Sequence, residues 1–446
     1  MRKPFATLFL SVALTLPTLE STARDWSLQD CVNYALQNNI SLQKQRLQKR
    51  NSHEDLLQAK SALLPNLSFS TSQNFNYTPW IATGISSDGY SRSSIDKFYY
   101  NGSYSVAGSW TVWNGNRNHN TVKLNKLIEE KAVLDSATTA NNIQEQITQL
   151  YIQILYSTEA INVNKESLES STQNELRGQE MVRIGKMSKA DLAQLTAQRA
   201  QDEYNVVAAE SAVKNYKRQL KQLLQITDDE EFNVTLPETS DQLALREIPA
   251  LNSVYTTALD HRPELQAYQN IINQSEIQIK IAKAQKLPTV GVNAGVSTNT
   301  TSMNNQNWTR QLKTNFSAGA GISVSIPLFD NRSSKTAVNK AMLMRESTLL
   351  DLKNEQTGLY STIENYWLQA VTNQNQFKAA KVSAESAQTS YELLNEQFRL
   401  GLKNIVELRT GKDNLLKARQ NELQSKYMTI LNLDMLQFYQ NGDLRK

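Results

Sequence analysis

The spacing of apolar residues changes period repeatedly along the chain. From Ser27 it is helical, which predicts a helix that runs to Leu64 and stops at Pro65, whose ring cannot continue it. The period then drops to two. Leu67, Phe69, Thr71, Phe75 and Tyr77 alternate with Ser68, Ser70, Ser72, Asn74 and Asn76. Tyr100, Gly102, Tyr104, Val106, Gly108, Trp110 and Val112 alternate with Asn101, Ser103, Ser105, Ala107, Ser109 and Thr111. The same change follows Pro288: Val290, Val292, Ala294 and Val296 oppose Thr289, Gly291, Asn293 and Ser297. Phe316, Ala318, Ala320, Ile322, Val324 and Ile326 oppose Ser317, Gly319, Gly321, Ser323 and Ser325. Each alternation predicts a strand with one apolar face and one face of small polar groups.

After each second strand a turn, Asn114-Gly115-Asn116 or Asp330-Asn331, leads into a very long helix. From Asn116 to Arg183 there is no proline, and the only glycine is Gly178, so the helix would run ~100 Å at 1.5 Å per residue. Its apolar positions have coiled-coil spacing. Ile147, Ile154, Ile161 and Leu168 lie seven apart, as do Val206, Val213 and Leu220, and Ala370, Phe377, Ala384, Tyr391 and Phe398. Such heptads mean helix packed on helix. They are core positions, and no ligand is assigned to them.

These elements occur twice. Leu28, Leu42, Ser52, Ala59 and Pro65 recur 223 residues later as Leu251, Leu265, Ser275, Ala282 and Pro288. Beyond the strands the offset is 216: Ile147, Lys165, Glu180, Arg183 and Gly185 recur as Ile363, Lys381, Glu396, Arg399 and Gly401. The first copy therefore carries seven extra residues in or beside its strand pair, most simply in a longer outer loop between Tyr77 and Phe98. The chain divides into residues 24–234 as the first copy, 235–250 as a linker with Pro237 and Pro249, 251–440 as the second copy, and a tail at 441–446. Each copy reads helix, strand, strand, helix, helix. Residues 1–23 read as a secretory signal, with Arg2 and Lys3, a short apolar stretch, and Ser21 and Ala23 placed for cleavage before Arg24.

Composition narrows the function classes. The formal charge of +4 over 446 residues is no signature of nucleic-acid binding. The lone cysteine, Cys31, excludes an intrachain disulfide, and it follows Leu28-Gln29-Asp30, which is no lipid-attachment context. His53, His119 and His261 lie far apart, and none has metal-ligand spacing with another His or with Cys31. Gly411-Lys412 lacks the upstream glycine of a phosphate loop. The chain is therefore read as no enzyme, with no cofactor and no metal. The acidic run from Asp228 to Glu231 reads as a solvated helix end rather than a site.

No apolar run after the signal is long enough for a membrane-spanning helix, so a membrane crossing would require a closed β-barrel. The strands have bilayer length, the polar faces are nearly free of charge, and aromatic residues collect near strand ends: Tyr77, Trp80, Tyr99, Tyr100, Trp113 and Trp308. A soluble sandwich is the rival arrangement. Four strands are too few to close a barrel, which takes roughly eight, so several subunits must contribute four strands each.

In these features the chain resembles the TolC family of outer-membrane efflux proteins. The landmarks are the duplicated element order, the Ala-x-x-Leu-Pro-like approaches from Ala59 to Pro65 and from Ala282 to Pro288, and the long-helix ends Arg183-Ile184-Gly185 and Arg399-Leu400-Gly401. The turn Pro327-Leu328-Phe329-Asp330-Asn331-Arg332 fits, whereas its counterpart, Trp113-Asn114-Gly115-Asn116-Arg117, departs. The resemblance implies a mainly α chain with long coiled-coil helices in a periplasmic α-barrel, and four strands per chain in a shared trimeric twelve-stranded β-barrel. It implies a homotrimer in outer-membrane lipid, served by a periplasmic adaptor and an inner-membrane RND or ABC transporter. The duct itself would do no chemistry.

The resemblance also assigns residues. Gly185 and Gly401 mark the periplasmic tips, and Arg183, Gly185, Arg399 and Gly401 become candidates for adaptor docking. Acidic residues of the second copy ring the entrance in such proteins. Glu407 stands at the first of these positions, and Thr410, which is not acidic, stands at the second. Glu407 fits equally a second reading, as an N-terminal helix charge favoured by the dipole, and Asp191, the matching entrance candidate of the first copy, is read first as such a charge. The expected function is the exit duct of a tripartite efflux pump. The exit duct of a type I protein secretion system and a secreted coiled-coil scaffold or adhesin are the alternatives.

Overall fold

The computed structural model describes residues 25–79, 83–85, 92–94, 97–227, 232–235 and 241–442. The signal segment 1–23, Arg24, Trp80, the run from Asp228 to Glu231, Pro237 and residues 443–446 lie outside the described residues.

In chain order, the first copy comprises β1 (Asp25–Trp26), α1 (Leu28–Asn38), α2 (Ile40–Ser61), β2 (Asn66–Tyr77), β3 (Thr83–Ile85), β4 (Arg92–Ser94), β5 (Phe98–Trp113), α3 (Arg117–Arg183) and α4 (Lys189–Leu224). Then come β6 (Asn233–Val234) and α5 (Asp241–Ala244). The second copy comprises α6 (Leu251–His261), α7 (Pro263–Ala284), β7 (Thr289–Thr301), α8 (Trp308–Thr314), β8 (Ser317–Ser325), α9 (Ser333–Arg399) and α10 (Ile405–Asn441).

The long helices α3 and α9 each have 67 residues, ~100 Å, as the proline-free stretch predicts. Their heptads pack where expected. Ile147, Ile154, Leu220, Ile363, Ala370 and Phe377 are fully buried, and Val206, Val213, Ala384, Tyr391 and Phe398 are buried. Ile161 and Leu168 are only half-buried.

One continuous core joins the middle of α3 and α9 to α1, α6 and the far ends of α4 and α10, through Cys31, Ile147, Leu224, Val254, Ile363, Ile430 and Phe438. A smaller core, of Leu195, Tyr391, Phe398, Ile405, Leu408 and Leu415, closes the hairpin tips. Between the two cores Val206, Val213, Ala384 and Ala418 are buried where the long helices pair.

The single first helix expected in each copy is two helices. Asn39 has extended backbone, accepts a hydrogen bond from Ser41 N at 2.9 Å to cap α2, and donates to Leu223 O at 3.0 Å. An asparagine that satisfies the orphan N–H groups of a new helix start makes the break inexpensive. The equivalent residue of the second copy, Arg262, breaks the helix too, with Pro263 at the first helical position. The end of α2 also falls at Ser61 rather than Leu64, through a turn before Pro65.

The strands form one antiparallel sheet in the order β2-β5-β7-β8. The connection between β2 and β5 runs over residues 78–97 and contains the paired β3 and β4, whereas that between β7 and β8 runs over 302–316. Among the described residues no second sheet of the chain packs on the apolar face, where Leu67, Phe69, Ile322 and Val324 are all more than half exposed.

Candidate functional site

The sheet register sorts every strand residue onto a face, because residues opposite each other in a ladder share one. On the polar face, Ser70, Ser105, Ser297 and Ser317 make one row across four strands, and Asn66, Ser109, Asn293 and Gly321 make another. Ser70 and Ser105 are hydrogen-bonded through their hydroxyls at 2.7 Å, and Ser72 and Ser103 at 2.8 Å. Ser109 Oγ donates to Asn66 Oδ1 at 2.6 Å. No described residue of these four strands is charged. On the opposite face the rows are Trp110–Val292–Ile322, Leu67–Gly108–Ala294–Ala320 and Phe69–Val106–Val296–Ala318. The outer edges of β2 and β8 pair with no described strand. Each edge leaves a row of backbone N–H and C=O groups without partners, costing several kcal/mol apiece in a lipid environment.

The aromatic residues do not form one boundary. Trp113 lies at the helix-side end of β5. A bulge between Thr111 and Trp113 makes Val112 the extra residue and puts Trp113 opposite Val290, so Trp113 rather than Val112 continues the apolar face. Trp308 is not at a strand end. It begins α8 and meets Tyr104 edge-on, with ring centroids 6.2 Å apart. Tyr77 and Tyr100 stand at the far end of the apolar face, whereas Tyr99, opposite Asn76, lies on the polar one. Sequence reasoning left out Tyr104 and Trp110 as boundary residues. Trp110 donates its indole N–H to Leu63 O at 2.8 Å, tying the sheet to the end of α2.

At the other end of the molecule both long helices stop in the same way. Gly185 (φ +73) and Gly401 (φ +75) take the left-handed conformation that a side chain resists. Lys186 N then reaches back to Met181 O at 2.8 Å, and Leu402 N to Gln397 O at 2.9 Å, which satisfies the last carbonyls. Arg183 pairs with Glu180 at 2.7 Å and Arg399 with Glu396, one turn back in each case, and all four side chains are exposed. Exposed Ile184, Leu400, Leu402 and Val406 surround these turns, and sequence reasoning passed over them.

Glu407 caps its own helix. Its backbone N–H donates to Asn404 Oδ1 at 2.9 Å, its Oε2 accepts from Asn404 N at 3.2 Å, and Lys403 Nζ lies 2.5 Å from Oε1. The Lys403 ammonium, helped by the Asn404 N–H, holds this carboxyl below the usual carboxylate range. Asp191 stands at the start of α4 in the matching way, accepting from Ser188 Oγ at 2.8 Å. Both arrangements supply the dipole-favoured capping that was one of two readings. Glu407 nonetheless also lines a groove with Ser383, Ser386, Ser390, Thr410 and Asn414. The structure thus brings Glu407 and Thr410 together and leaves Asp191 on the other hairpin.

Sequence reasoning missed the polar seam between the hairpins α3–α4 and α9–α10. Lys412 of α10 and Asp202 of α4 form an ion pair with both side chains buried. Burial pushes the Lys412 ammonium below its ordinary range, against the pull of Asp202. Nearby, Arg419 pairs with Glu166, and the Ser170 and Tyr391 hydroxyls are 2.6 Å apart. No local signal announces pairs separated by more than 200 residues. Elsewhere His53 Nδ1 meets Glu129 at 2.9 Å. Among the described residues no group of three or more His, Cys, Asp or Glu is placed to hold a metal, and no helix is long and apolar enough to cross a membrane.

Comparison with known proteins agrees with this geometry. Residues 254–439 match the outer membrane efflux protein family. The chain is 22% identical over 417 residues to the toxin and drug export protein A of Aggregatibacter actinomycetemcomitans, covering 91% of this chain and 84% of that one. Its fold is similar to that of the CmeC outer membrane channel of Campylobacter jejuni, with a TM-score of 0.77, 18% identity, and coverage of 100% of this chain and 94% of that one. It is similar also to the outer membrane protein VceC of Vibrio cholerae, with a TM-score of 0.74, 16% identity, and coverage of 92% and 95%. The family resemblance read from the duplicated landmarks is borne out.

Proposed function

We propose that this chain, a relative of the outer membrane efflux proteins, is one subunit of a passive exit duct that carries substrates from a periplasmic assembly across the outer membrane. One observation carries the reading. A sheet that is apolar on one face and uncharged and hydroxyl-lined on the other has bare edges at β2 and β8, and stands on helices ~100 Å long. Only closure with further copies satisfies those edges in lipid. Three copies make a twelve-stranded barrel with the serine and asparagine rows lining the lumen. A neutral, small-residue lumen at that level discriminates little, so selection belongs to the partners and to the periplasmic entrance.

The paired tips, with Arg183, Gly185, Arg399 and Gly401 flanked by exposed Ile184, Leu400 and Leu402, suit docking of a periplasmic adaptor. The adaptor would join the duct to an RND or ABC transporter. Glu407 and Thr410 line the entrance in this reading, with one carboxylate per subunit repeated around the axis. A protein-secretion duct is the second reading, favoured by the name of the Aggregatibacter relative, which joins toxin export to drug export.

The test is reconstitution. The full chain, recovered from outer membranes, is expected to migrate unheated as a stable oligomer and to conduct ions in planar bilayers. Quantitative recovery in the soluble fraction after lysis would exclude a duct. Co-purification of the adaptor with an RND pump or with an ABC exporter decides between the two readings.

A further inference from the structure

The outward face of the sheet does not end where its aliphatic rows end. Above Phe69–Val106–Val296 come two polar rows, Thr71–Tyr104–Thr298 and Gln73–Gly102–Thr300. Beyond them β2 and β5 continue as a two-stranded ribbon bearing Phe75 opposite Tyr100 and Tyr77 opposite Phe98. Phe75, Tyr77 and Phe98 are 83%, 58% and 74% exposed. The rings are ordered into a ladder: Tyr77 stacks on Phe98 with centroids 4.5 Å apart, and Phe75 meets Tyr100 at 5.4 Å. Tyr100 lies across Gly102 with its hydroxyl on Gln73, and a Cβ at Gly102 would come within 2.2 Å of that hydroxyl.

Height decides what this ladder faces. Tyr77 is eight residues beyond Phe69, ~27 Å along the strand and about 20 Å along the membrane normal for a strand tilted by roughly 40°. The head-group layer outside the hydrocarbon core is only about 5–8 Å deep on each side. The aliphatic rows from Trp113–Val290 to Phe69–Val106 span only about 16 Å of the membrane normal, so a core of roughly 25 Å reaches about 10 Å above Phe69, and the ladder stands at the outer edge of the head-group layer, on the face continuous with the lipid-facing surface. Basic groups accompany it. Lys97 is exposed at the base of the loop, and Arg310 and Lys313 are exposed on α8, whose Trp308 rests on Tyr104. Among the described residues of this outer end, 66–79, 97–104 and 298–316, there is no carboxylate.

We propose that the Phe75–Tyr77–Phe98–Tyr100 ladder, together with Arg310 and Lys313, binds the phosphorylated saccharide head group of an outer-leaflet glycolipid. Aromatic rings offer flat apolar faces to sugar rings, with Tyr hydroxyls and the Gln73 amide beside them for hydrogen bonds. Guanidinium and ammonium groups take phosphate through charge-assisted bonds. The inference rests on the placement of the sheet in the outer membrane.

The test uses the full chain purified in mild detergent, with retained lipid measured by mass spectrometry. The probes are lipopolysaccharide carrying core sugars, lipid A without them, and phosphatidylglycerol. The wild type is expected to retain lipopolysaccharide in preference to phosphatidylglycerol. The triple variant Phe75→Ser, Tyr77→Ser, Phe98→Ser is expected to lose roughly tenfold in retention of the core-bearing probe, since each ring buries a large area in a stacked contact, while keeping lipid A. The double variant Arg310→Gln, Lys313→Gln is expected to retain less of both glycolipids. Equal retention by wild type and triple variant overturns the proposal. Should the triple variant fail to assemble, unchanged retention by the double variant overturns it. A chain absent from outer membranes overturns the placement itself, whereas a chain present there without preference for lipopolysaccharide overturns this inference alone.

Discussion

Lys412 and Asp202 are charges buried against each other at the junction of two helical hairpins, each less than a tenth exposed. Desolvation of such a pair roughly cancels its attraction, so its consequence appears when one partner is removed. Asp202→Ala is expected to cost about 3–5 kcal/mol, because it strands an ammonium in the seam. The paired change Asp202→Leu, Lys412→Met is expected to be near neutral or stabilising. Thermal unfolding of the detergent-solubilised protein measures both. A single and a double variant of equal stability would show that the pair is not coupled.

The same lysine sets an alkaline signature. Its folded pKa is depressed, so between that value and the ordinary lysine value the unfolded chain binds more protons, and this group's contribution to stability rises with pH. Lys412→Met is expected to remove that part of the slope. An unchanged alkaline profile would place Lys412 in water.

Asp241 supplies the acid signature. Its carboxyl is held below the usual range chiefly by Lys381, 2.6 Å away, in a bond that ties α5 to α9. A depressed carboxyl contributes stability that is present above its ordinary pKa and is lost as pH falls through the depressed value. Asp241→Asn is expected to flatten the acid limb of stability against pH without changing it near neutrality in slope. A steeper acid limb would contradict this account.

How far the sequence made these features legible depends on their range. The long helices were plain because nothing in them stops a helix, and the heptads that pack them recur within the same segment. The break at Asn39 was less plain, although Asn38-Asn39 and the proline at 263 both mark it, because the apolar spacing continues across the break. The bulge at Val112 and the docking of Trp308 on Tyr104 depend on cross-strand register, which alternation alone does not give. The Lys412–Asp202 pair joins opposite copies and leaves no trace in either. At the tips the glycines were readable from their repeated position, whereas the capping of Glu407 by Asn404 and Lys403 was visible only in outline.

Two glycines separate backbone need from packing. Gly401 has φ +75 with nothing near an added Cβ, so Gly401→Ala is expected to destabilise by about 1–2 kcal/mol through conformation alone. Gly358, inside α9, also has open space, and Gly358→Ala is expected to stabilise by about 0.5–1 kcal/mol. Chemical denaturation of both variants checks the contrast. Effects of the same sign would contradict it.

Glu407 tests the entrance. If its carboxylate faces the axis, Glu407→Gln weakens block by multivalent cations in planar-bilayer recordings while the open conductance stays close to wild type. Unchanged block would leave Glu407 as a helix cap only, the role its bonds to Asn404 already give it.

The central claim is that the bare edges of β2 and β8 are closed by other copies of this chain. Cysteines placed one at a time from residue 317 to 323 on β8, each combined with Ser70→Cys on β2, test it most directly. The native thiol, Cys31, is buried and does not compete. Oxidation in intact outer membranes is expected to give, at the matching register, a ladder of covalent dimers that ends at a closed trimer. Monomer at every position, in protein that has reached the outer membrane, would contradict the shared barrel.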